Sequence, residues 1–425
     1  MKKIRYEDIR DVFYNVRDFQ EIPSVRQVLE EVRNRGDEAL RDLTKRYDGV
    51  FIKDFRIPVN EIRKAYSMMD KDLLKALEKS ISLLTAFSEK EMERYESFSL
   101  ETEKGIHVSQ KVISLERVGI YVPAGRFPLS SSLVMGCIPA KVAGVKEIAV
   151  CSPPQSQGFV HPHILGAAHL CGIEEIYRIG GAQAIAALAF GTESIQKVDK
   201  IAGPGNVYVN EAKRLVFGRV DIDFLAGPTE LMIVADGKAD ESFAAADLIA
   251  QAEHDEEAVV WLVTGSSRWA DKVIQEVERQ IRNLPTSRTA QRALEKNGWI
   301  VHVKNIDQAI DFANRMAPEH LELQIQNPER YANRFRNYGS LFIGAYAAEV
   351  LGDYCSGLNH ILPTNRASRY KGGLSAKDFL KFQTSLEVEK NGFREIASDS
   401  AKLAESEGLT GHKNSVSIRL KVLSE

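Results

Sequence analysis

VGIYV at residues 118–122, PAGRFPL at 123–129 and SSSLVMGCIPAKVAG at 130–144 form the stretch on which the fold turns. A short β-branched run, a Gly/Pro loop and a longer apolar run opened by serines read as strand, loop and helix. The unit then repeats. KEIAVCSPP (146–154) passes from strand into loop, HPHILGAAHLCG (161–172) is a helix, EEIYRIGG (174–181) a strand and AQAIAALAFG (182–191) a helix. Strands alternating with helices at this spacing predict parallel βαβ units in a doubly wound α/β sheet. The alternation pauses at IAGPGNVYVNEAKRLVFG (201–218) and resumes after Gly227 with ELMIVA, a helix holding Gln251, AVVWLVTG, a long helix from Trp269, WIVHVK and DQAIDFANRMA. Two such blocks in tandem point to an old duplication, although no residue-level repetition marks it.

The flanks read differently. Residues 1–20 form an arm with little core of their own. From Ser24 to Gly49 the apolar residues fall at three- and four-residue steps, which predicts helix, and residues 60–95 give one or two more. After Leu374 the chain is expected to turn helical again, with Ser375 and Asp378 spaced as a capping box before FLKFQ. The end, REIASDSAKLAESEGLTGHKNSVSIRLK, reads as a charged helix followed by a loop with His412, a tail that packs on something else.

Composition narrows the class. The chain has 425 residues, 44% of them hydrophobic, and a net charge of -3. That length and apolar content suffice for two or three cores, and the charge gives no footprint for nucleic acid or an anionic membrane. No apolar run is long enough to span a bilayer, and MKKIRYEDIRDVF lacks an apolar segment after its basic residues. Cys137, Cys151, Cys171 and Cys355 form no CxxC pair, as expected of reduced thiols in a cytoplasmic enzyme.

Polar groups cluster at four places. In DLIAQAEHD (247–255), Gln251 and His254 are three apart at the end of a helix-like run, so a helix would put them on one face where they can converge on an ion or ligand. MAPEHLEL (316–323) sets Glu319 beside His320 at a helix-to-strand transition, and an imidazole starts near the pKa a general base needs. GDYCSGLNHILP (352–363) holds Asp353, Cys355 and His360; as zinc ligands, chemistry favours the Cys355 thiolate over the Gln251 amide. EGLTGH (407–412) adds Glu407 and His412. A metal site assembled from residues so widely separated in sequence has the look of a catalytic zinc, which spacing alone does not establish. His161-Pro-His163 has the look of a metal pair, but Pro162 opens a helix there, and His107, His169 and His302 read as structural. Neither HExxH nor GxGxxG occurs, so IGGAQAIAAL and AGPGN are the loops where a dinucleotide could approach backbone.

GIYVPAG, PAKVAGV, GGAQAIAALAFGT, IAGPGN, AGPTE, QAEHD, MAPEHLEL, DYCSGLNHILPT and EGLTGHKN, in this order, closely resemble the histidinol dehydrogenase family, from about residue 25 to the C-terminus. The resemblance implies a zinc- and NAD-dependent homodimer that oxidises L-histidinol through the aldehyde to L-histidine, the last step of histidine biosynthesis. It implies tandem Rossmann-like, aldehyde-dehydrogenase-like domains: residues 21–118 with 229–372 as the first, carrying zinc and catalytic residues, and residues 119–228 as the second, carrying the NAD contacts. The tail, residues 373–425, would cross to the partner. Position by position, one zinc per subunit would be held by Gln251, His254, Asp353 and His412, the last from the other subunit, and Cys355 becomes a bystander. Glu319 and His320 would be the catalytic pair. The substrate would meet Ser131, Thr229, His360 and Glu407 along with His320 and the metal ligands; NAD would meet Tyr121, Gln183 and Asn206.

Two positions depart from the family pattern. Thr229 stands where serine is frequent and keeps the hydroxyl. Arg126-Phe127 replaces small residues in the glycine loop, and an arginine there would suit paralogues that oxidise sulfonated propanediols. Glu407 argues for histidinol, because a carboxylate suits its cationic amino group and repels a sulfonate. A non-catalytic zinc-binding protein on the same fold and a metal-dependent hydrolase are the readings from other classes.

Overall fold

The computed structural model describes residues 1–16, 21–124 and 127–424. Two parallel sheets organise the chain, as the tandem alternation predicts. The smaller has five strands in the order Ile176–Arg178, Glu147–Ser152, Arg117–Tyr121, Lys200–Ala202, Asp221–Ile222. The larger has six: Lys2–Arg5, Gly298–His302, Val259–Thr264, Glu230–Ala235, His320–Gln324 and Ser340–Ile343. Every residue of Glu230–Ala235 and Val259–Thr264 is buried, the pattern of strands covered on both faces.

Successive side chains of a strand point to opposite faces, and the cores follow this. Val118, Ile120, Ile148 and Val150 face one core of the small sheet, with Leu133, Ile138, Ile164 and Leu165 from the helices Ser130–Val142 and Pro162–Leu170. Tyr121, Ala149, Cys151 and Ile201 face the other, with Ile185, Leu188 and Val209 from Gly181–Phe190 and Val207–Val216. Cys137, Cys151 and Cys171 are buried, unpaired thiols within these cores.

The four helices between residues 23 and 92 bear on the expected domain grouping. The resemblance groups residues 21–118 with 229–372, whereas Pro23–Arg35 and Asp37–Tyr47 bury Val25, Leu29, Val32, Leu40 and Leu43 in one core of the small sheet, and Val59–Ser67 and Lys71–Met92 bury Ile62, Leu77 and Leu84 in the other. An amphipathic stripe says that a helix must bury a face, not which sheet receives it. The helix read from Ser24 also breaks at Gly36, whose φ of 53° is left-handed.

The arm is tied down more than its sequence suggests. Lys2–Arg5 pairs in parallel with Trp299–His302 as an edge strand, and Tyr14 is buried against Phe312 under the Arg315 guanidinium, 3.8 Å from its ring centroid. In the tail, the capping box of Ser375 and Asp378 is present, but it caps only the single 3₁₀ turn Ala376–Phe379. FLKFQ then enters the strand Leu380–Val388, antiparallel to Ile106–Ser114 in a three-stranded sheet with Phe98–Glu103, and is not a helix. His412 lies in a helix, Thr410–Val422, and not in a loop; this helix packs on Lys390–Ser406 and has no buried residue. Leu403, Ile418 and Val422 are exposed there. No helix among the described residues is long and apolar enough to cross a membrane.

Candidate active site

One cavity of about 180 Å³ gathers most of the polar residues singled out above: Ser131, Thr229, His254, Glu319, His320, Asp353 and His360 all line it. It lies where the carboxyl ends of Arg117–Tyr121 and Lys200–Ala202, the switch point of the small sheet, meet the amino ends of Glu230–Ala235 and His320–Gln324. Open α/β sheets ordinarily hold ligands at carboxyl ends; here Thr229 and Glu319 enter from the opposite end of the larger sheet.

The Glu319–His320 pair is fixed by local chain geometry. The helix Ile306–Met316 stops at Ala317, which is left-handed (φ 50°), and Pro318 bars its continuation. The strand begins at His320, opposite Leu231 and Ser340. Glu319 Oε2 accepts from Thr229 Oγ1 at 2.6 Å and from the Glu230 amide at 2.9 Å. Burial pushes its carboxyl above the ordinary range, while the His320 ring and these two donors pull the other way. His320 Nδ1 stands 3.0 Å from the Glu230 carbonyl oxygen, so Nδ1–H donates and Nε2 carries the lone pair in the neutral ring. That Nε2 is buried with no hydrogen-bond partner among the described residues.

The ring lies among carboxylates, with Glu319 3.7 Å from Nδ1 and Asp353 3.7 Å from Nε2. Burial disfavours its charge, yet Glu319, Asp353 and Glu349 push it up to about 10. Burial works against the charge of Asp353 too, and the His320 and His360 rings hold it below its ordinary range. A cation engaged by Asp353 would remove part of this pull on His320 and return the ring toward the range of a base.

The expected zinc ligands are only partly together within one chain. Asp353 and His254 reach the cavity. Gln251 donates through Nε2 to Thr229 Oγ1, and its buried Oε1 has no partner among the described residues. A buried orphaned amide oxygen on Gln251, together with the His254 imidazole and the Asp353 carboxylate, is a set of donors that zinc accepts, so the chemistry of the residues present fits the ion. Gln251 and His254 do not share the expected helix face. The helix Glu241–Ala252 ends first, and His254 sits in the turn beyond, its amide 3.4 Å from the Gln251 carbonyl; Glu253 and Asp255 are unfavourable charges at a helix C-terminus. Glu407 and His412 are exposed and do not line the cavity. The atoms of His320, Glu349 and Asp353 instead form a compact group, all within 4.8 Å of one another.

His360 is held in place, Nδ1 2.8 Å from the Asp353 carbonyl oxygen and Nε2 3.1 Å from Ser132 Oγ. Ser132, not Ser131, makes that bond. Cys355 is exposed with its thiol 3.8 Å from the Ala76 carbonyl oxygen. His161 accepts from the His163 amide at the start of its helix. Arg126 lies outside the described residues.

The expected NAD contacts fall on the small sheet. Tyr121 is buried, its hydroxyl accepting from the Gly181 amide at 3.1 Å. Asn206 caps Val207–Val216, accepting from Tyr208 N and Val209 N at 3.1 Å. Gln183 Nε2 donates to Asp48 at 3.3 Å. Burial pushes the Asp48 carboxyl up to about 6. A carboxyl raised on folding contributes its stability fully below its unfolded value and loses it as pH rises through about 6. Asp48→Asn is therefore expected to raise the melting temperature at pH 8 and leave it unchanged at pH 4; equal shifts at both would discount the buried charge.

Several site residues carry no sequence signal of their own. Glu349, one turn before Asp353 on Glu349–Tyr354, is raised by burial to about 8 and donates its amide to Glu322 at 2.9 Å. Its i,i+4 spacing to Asp353 was the only available cue. Lys213 and Asp223, a buried ion pair, also line the cavity.

Comparison with known proteins bears on the whole chain. The family model for histidinol dehydrogenase matches residues 15–420. Histidinol dehydrogenase of Clostridium acetobutylicum is 43% identical over 400 residues, 94% of this chain and 92% of that protein. That of Methanocaldococcus jannaschii is 42% identical over 416 residues, 98% and 96% of the two chains. The crystal structure of histidinol dehydrogenase from Elizabethkingia anophelis superposes with a TM-score of 0.93 at 36% identity, covering 100% of this chain and 99% of that one.

Proposed function

The chain belongs to the histidinol dehydrogenase family, and from that membership we propose that it oxidises L-histidinol through the aldehyde to L-histidine, passing two hydrides to NAD. The observation that carries the reading is the convergence of a buried carboxylate, Glu319, and a buried imidazole with an unpartnered nitrogen, His320, on a cavity that also presents His254 and Asp353. Two proton acceptors, one for the alcohol hydroxyl and one for water, are what successive oxidations of a primary alcohol need.

His320 Nε2 takes the hydroxyl proton, its ring held by the Glu230 carbonyl. Hydride leaves only as that proton does, since the carbonyl forms from both losses. The aldehyde keeps one hydrogen on its carbonyl carbon, and that hydride can leave only after hydration has made the carbon tetrahedral. Glu319 removes a proton from the attacking water, and its two hydrogen bonds fix which oxygen remains free to do so. Gln251, His254 and Asp353, with His412 of a second copy, would hold zinc; when bound, the ion supplies a Lewis-acid anchor for the substrate's nitrogen ligands, worth up to roughly 7–11 kcal/mol through orientation. Tyr121, Gln183 and Asn206 would hold NAD, which when bound supplies the hydride acceptor.

The exposed Leu403, Ile418 and Val422 support a homodimer in which the tail covers the partner's site and brings Glu407 to the substrate's ammonium group. A solution mass of one chain would remove that part of the reading. The decisive experiment gives purified, zinc-loaded protein L-histidinol and NAD, with dihydroxypropanesulfonate in parallel, and counts NADH. Two NADH per histidinol is expected. Turnover of the sulfonate alone would assign the chain to a paralogous substrate, and no NADH from either would reject the oxidoreductase mechanism.

A further inference from the structure

The turn Gly203-Pro204-Gly205 lies between the two halves of the site. Its three residues line the cavity that holds Glu319 and His320, and it leads directly into Asn206. A buried brace holds its backbone. Lys213 Nζ donates to the Gly203 carbonyl at 3.0 Å, and Asn210 Nδ2 donates to the Gly205 carbonyl at 2.8 Å. Lys213 and Asn210 are three residues apart on Val207–Val216, so one helix face takes both carbonyls. Asp223 closes the brace from the end of Asp221–Ile222. Its carboxylate accepts from the Gly203 amide at 2.8 Å and the Phe224 amide at 2.7 Å, and it pairs with Lys213. Asn210 Oδ1 accepts in turn from the Ala226 amide at 3.1 Å.

Stability alone does not account for this arrangement. The Lys213 and Asp223 side chains are each 1% exposed, and a buried ion pair seldom adds stability over apolar residues of the same volume. The turn it holds has no slack. Gly203 has φ +120°, and a Cβ there would stand 2.1 Å from the Tyr121 carbonyl oxygen. The backbone of the turn is thus pressed against the backbone of Tyr121, and small displacements of one must move the other.

We infer that Lys213 and Asp223 are positioning residues for the dinucleotide: by fixing both polar groups of Gly203 they set the turn that aligns Tyr121 and Asn206 with the Glu319–His320 cavity. This rests on the reading that NAD binds against those two residues. Loss of the brace lets the turn relax, which misplaces the nucleotide relative to the bound alcohol; neither Lys213 nor Asp223 is among the residues expected to contact the alcohol itself.

The test compares the wild type, Lys213→Met and the double variant Lys213→Met/Asp223→Asn, each checked for folding by thermal melt. NAD affinity is read by calorimetry without substrate, and KM for NAD and for histidinol separately, with zinc content measured alongside. Lys213→Met is expected to weaken NAD binding and raise its KM by about tenfold or more, the scale of one charge-assisted hydrogen bond, with histidinol KM and zinc content within about twofold. The double variant removes the lone buried carboxylate charge, so its melting temperature recovers toward wild type while the NAD defect remains. Folded variants with wild-type NAD affinity, or with NAD and histidinol weakened alike, would overturn the assignment. A wild-type protein that binds no NAD would remove the underlying reading, and the positioning role with it, before any variant is compared.

Discussion

Glu319→Gln is expected to slow the aldehyde-to-acid half of the reaction by about 10²–10⁴-fold, the usual contribution of a general acid–base group, and to leave the alcohol-to-aldehyde half within a few-fold of wild type. The substitution is close to isosteric, and the amide oxygen of glutamine can still accept from Thr229 Oγ1 and the Glu230 amide. The site's packing therefore survives while its proton acceptor does not. In the first oxidation the proton lost is the hydroxyl's, and His320 can take it. Hydration of the aldehyde needs a second proton removed, from water, and Glu319 is a carboxyl lining the cavity whose basicity burial raises. Single turnovers begun from histidinol and from histidinal separate the halves. Equal slowing of both would reject the division of labour, and no slowing of either would remove Glu319 from the chemistry.

How far the sequence reaches depends on the range of the interaction. Alternating β-branched runs and alanine-rich helices are local signals, and the two doubly wound sheets follow from them. The helices at 23–92 are equally plain as helices, but their assignment rests on which apolar surface receives Val32 and Leu84, and both go to the small sheet. FLKFQ shows the competition directly. A true capping box precedes it, yet nine residues from Leu380 to Val388 find partners along Ile106–Ser114, and the ladder outweighs a single capped turn. The edge strand Lys2–Arg5 has almost no pattern of its own and is defined by Gly298–His302 beside it.

The site was legible as motifs more than as chemistry. Glu319, His320 and Asp353 meet in one cavity although Asp353 lies in a different motif, well downstream of the other two. Ligand softness favours Cys355, which is exposed with its thiol toward the Ala76 carbonyl, whereas the family resemblance points to Gln251, whose amide oxygen is buried without a partner among the described residues. Lys213 and Asp223 were missed because neither lies in a recognisable cluster, and only the fold brings them to the same glycine.

His320→Asn should separate the base from the carboxyl by its effect on both halves. The asparagine amide can place a donor near the Nδ1 position, so the bond to the Glu230 carbonyl can persist, but nothing then stands at Nε2. Both oxidations lose a proton from oxygen as hydride leaves, hence both should slow by about 10²–10⁴-fold. The metal measurement makes the assignment sharper, because His320 also belongs to the compact group with Glu349 and Asp353. If His320 is the base and Gln251, His254 and Asp353 are the ligands, the variant retains its zinc while losing turnover in both halves. Loss of zinc together with activity would place His320 in the ligand set, and its base role would pass to another group. Zinc retained with only the first half slowed would mean that a different acceptor serves the second oxidation, with Glu319 the nearest buried carboxylate to the ring's other nitrogen, 3.7 Å from Nδ1.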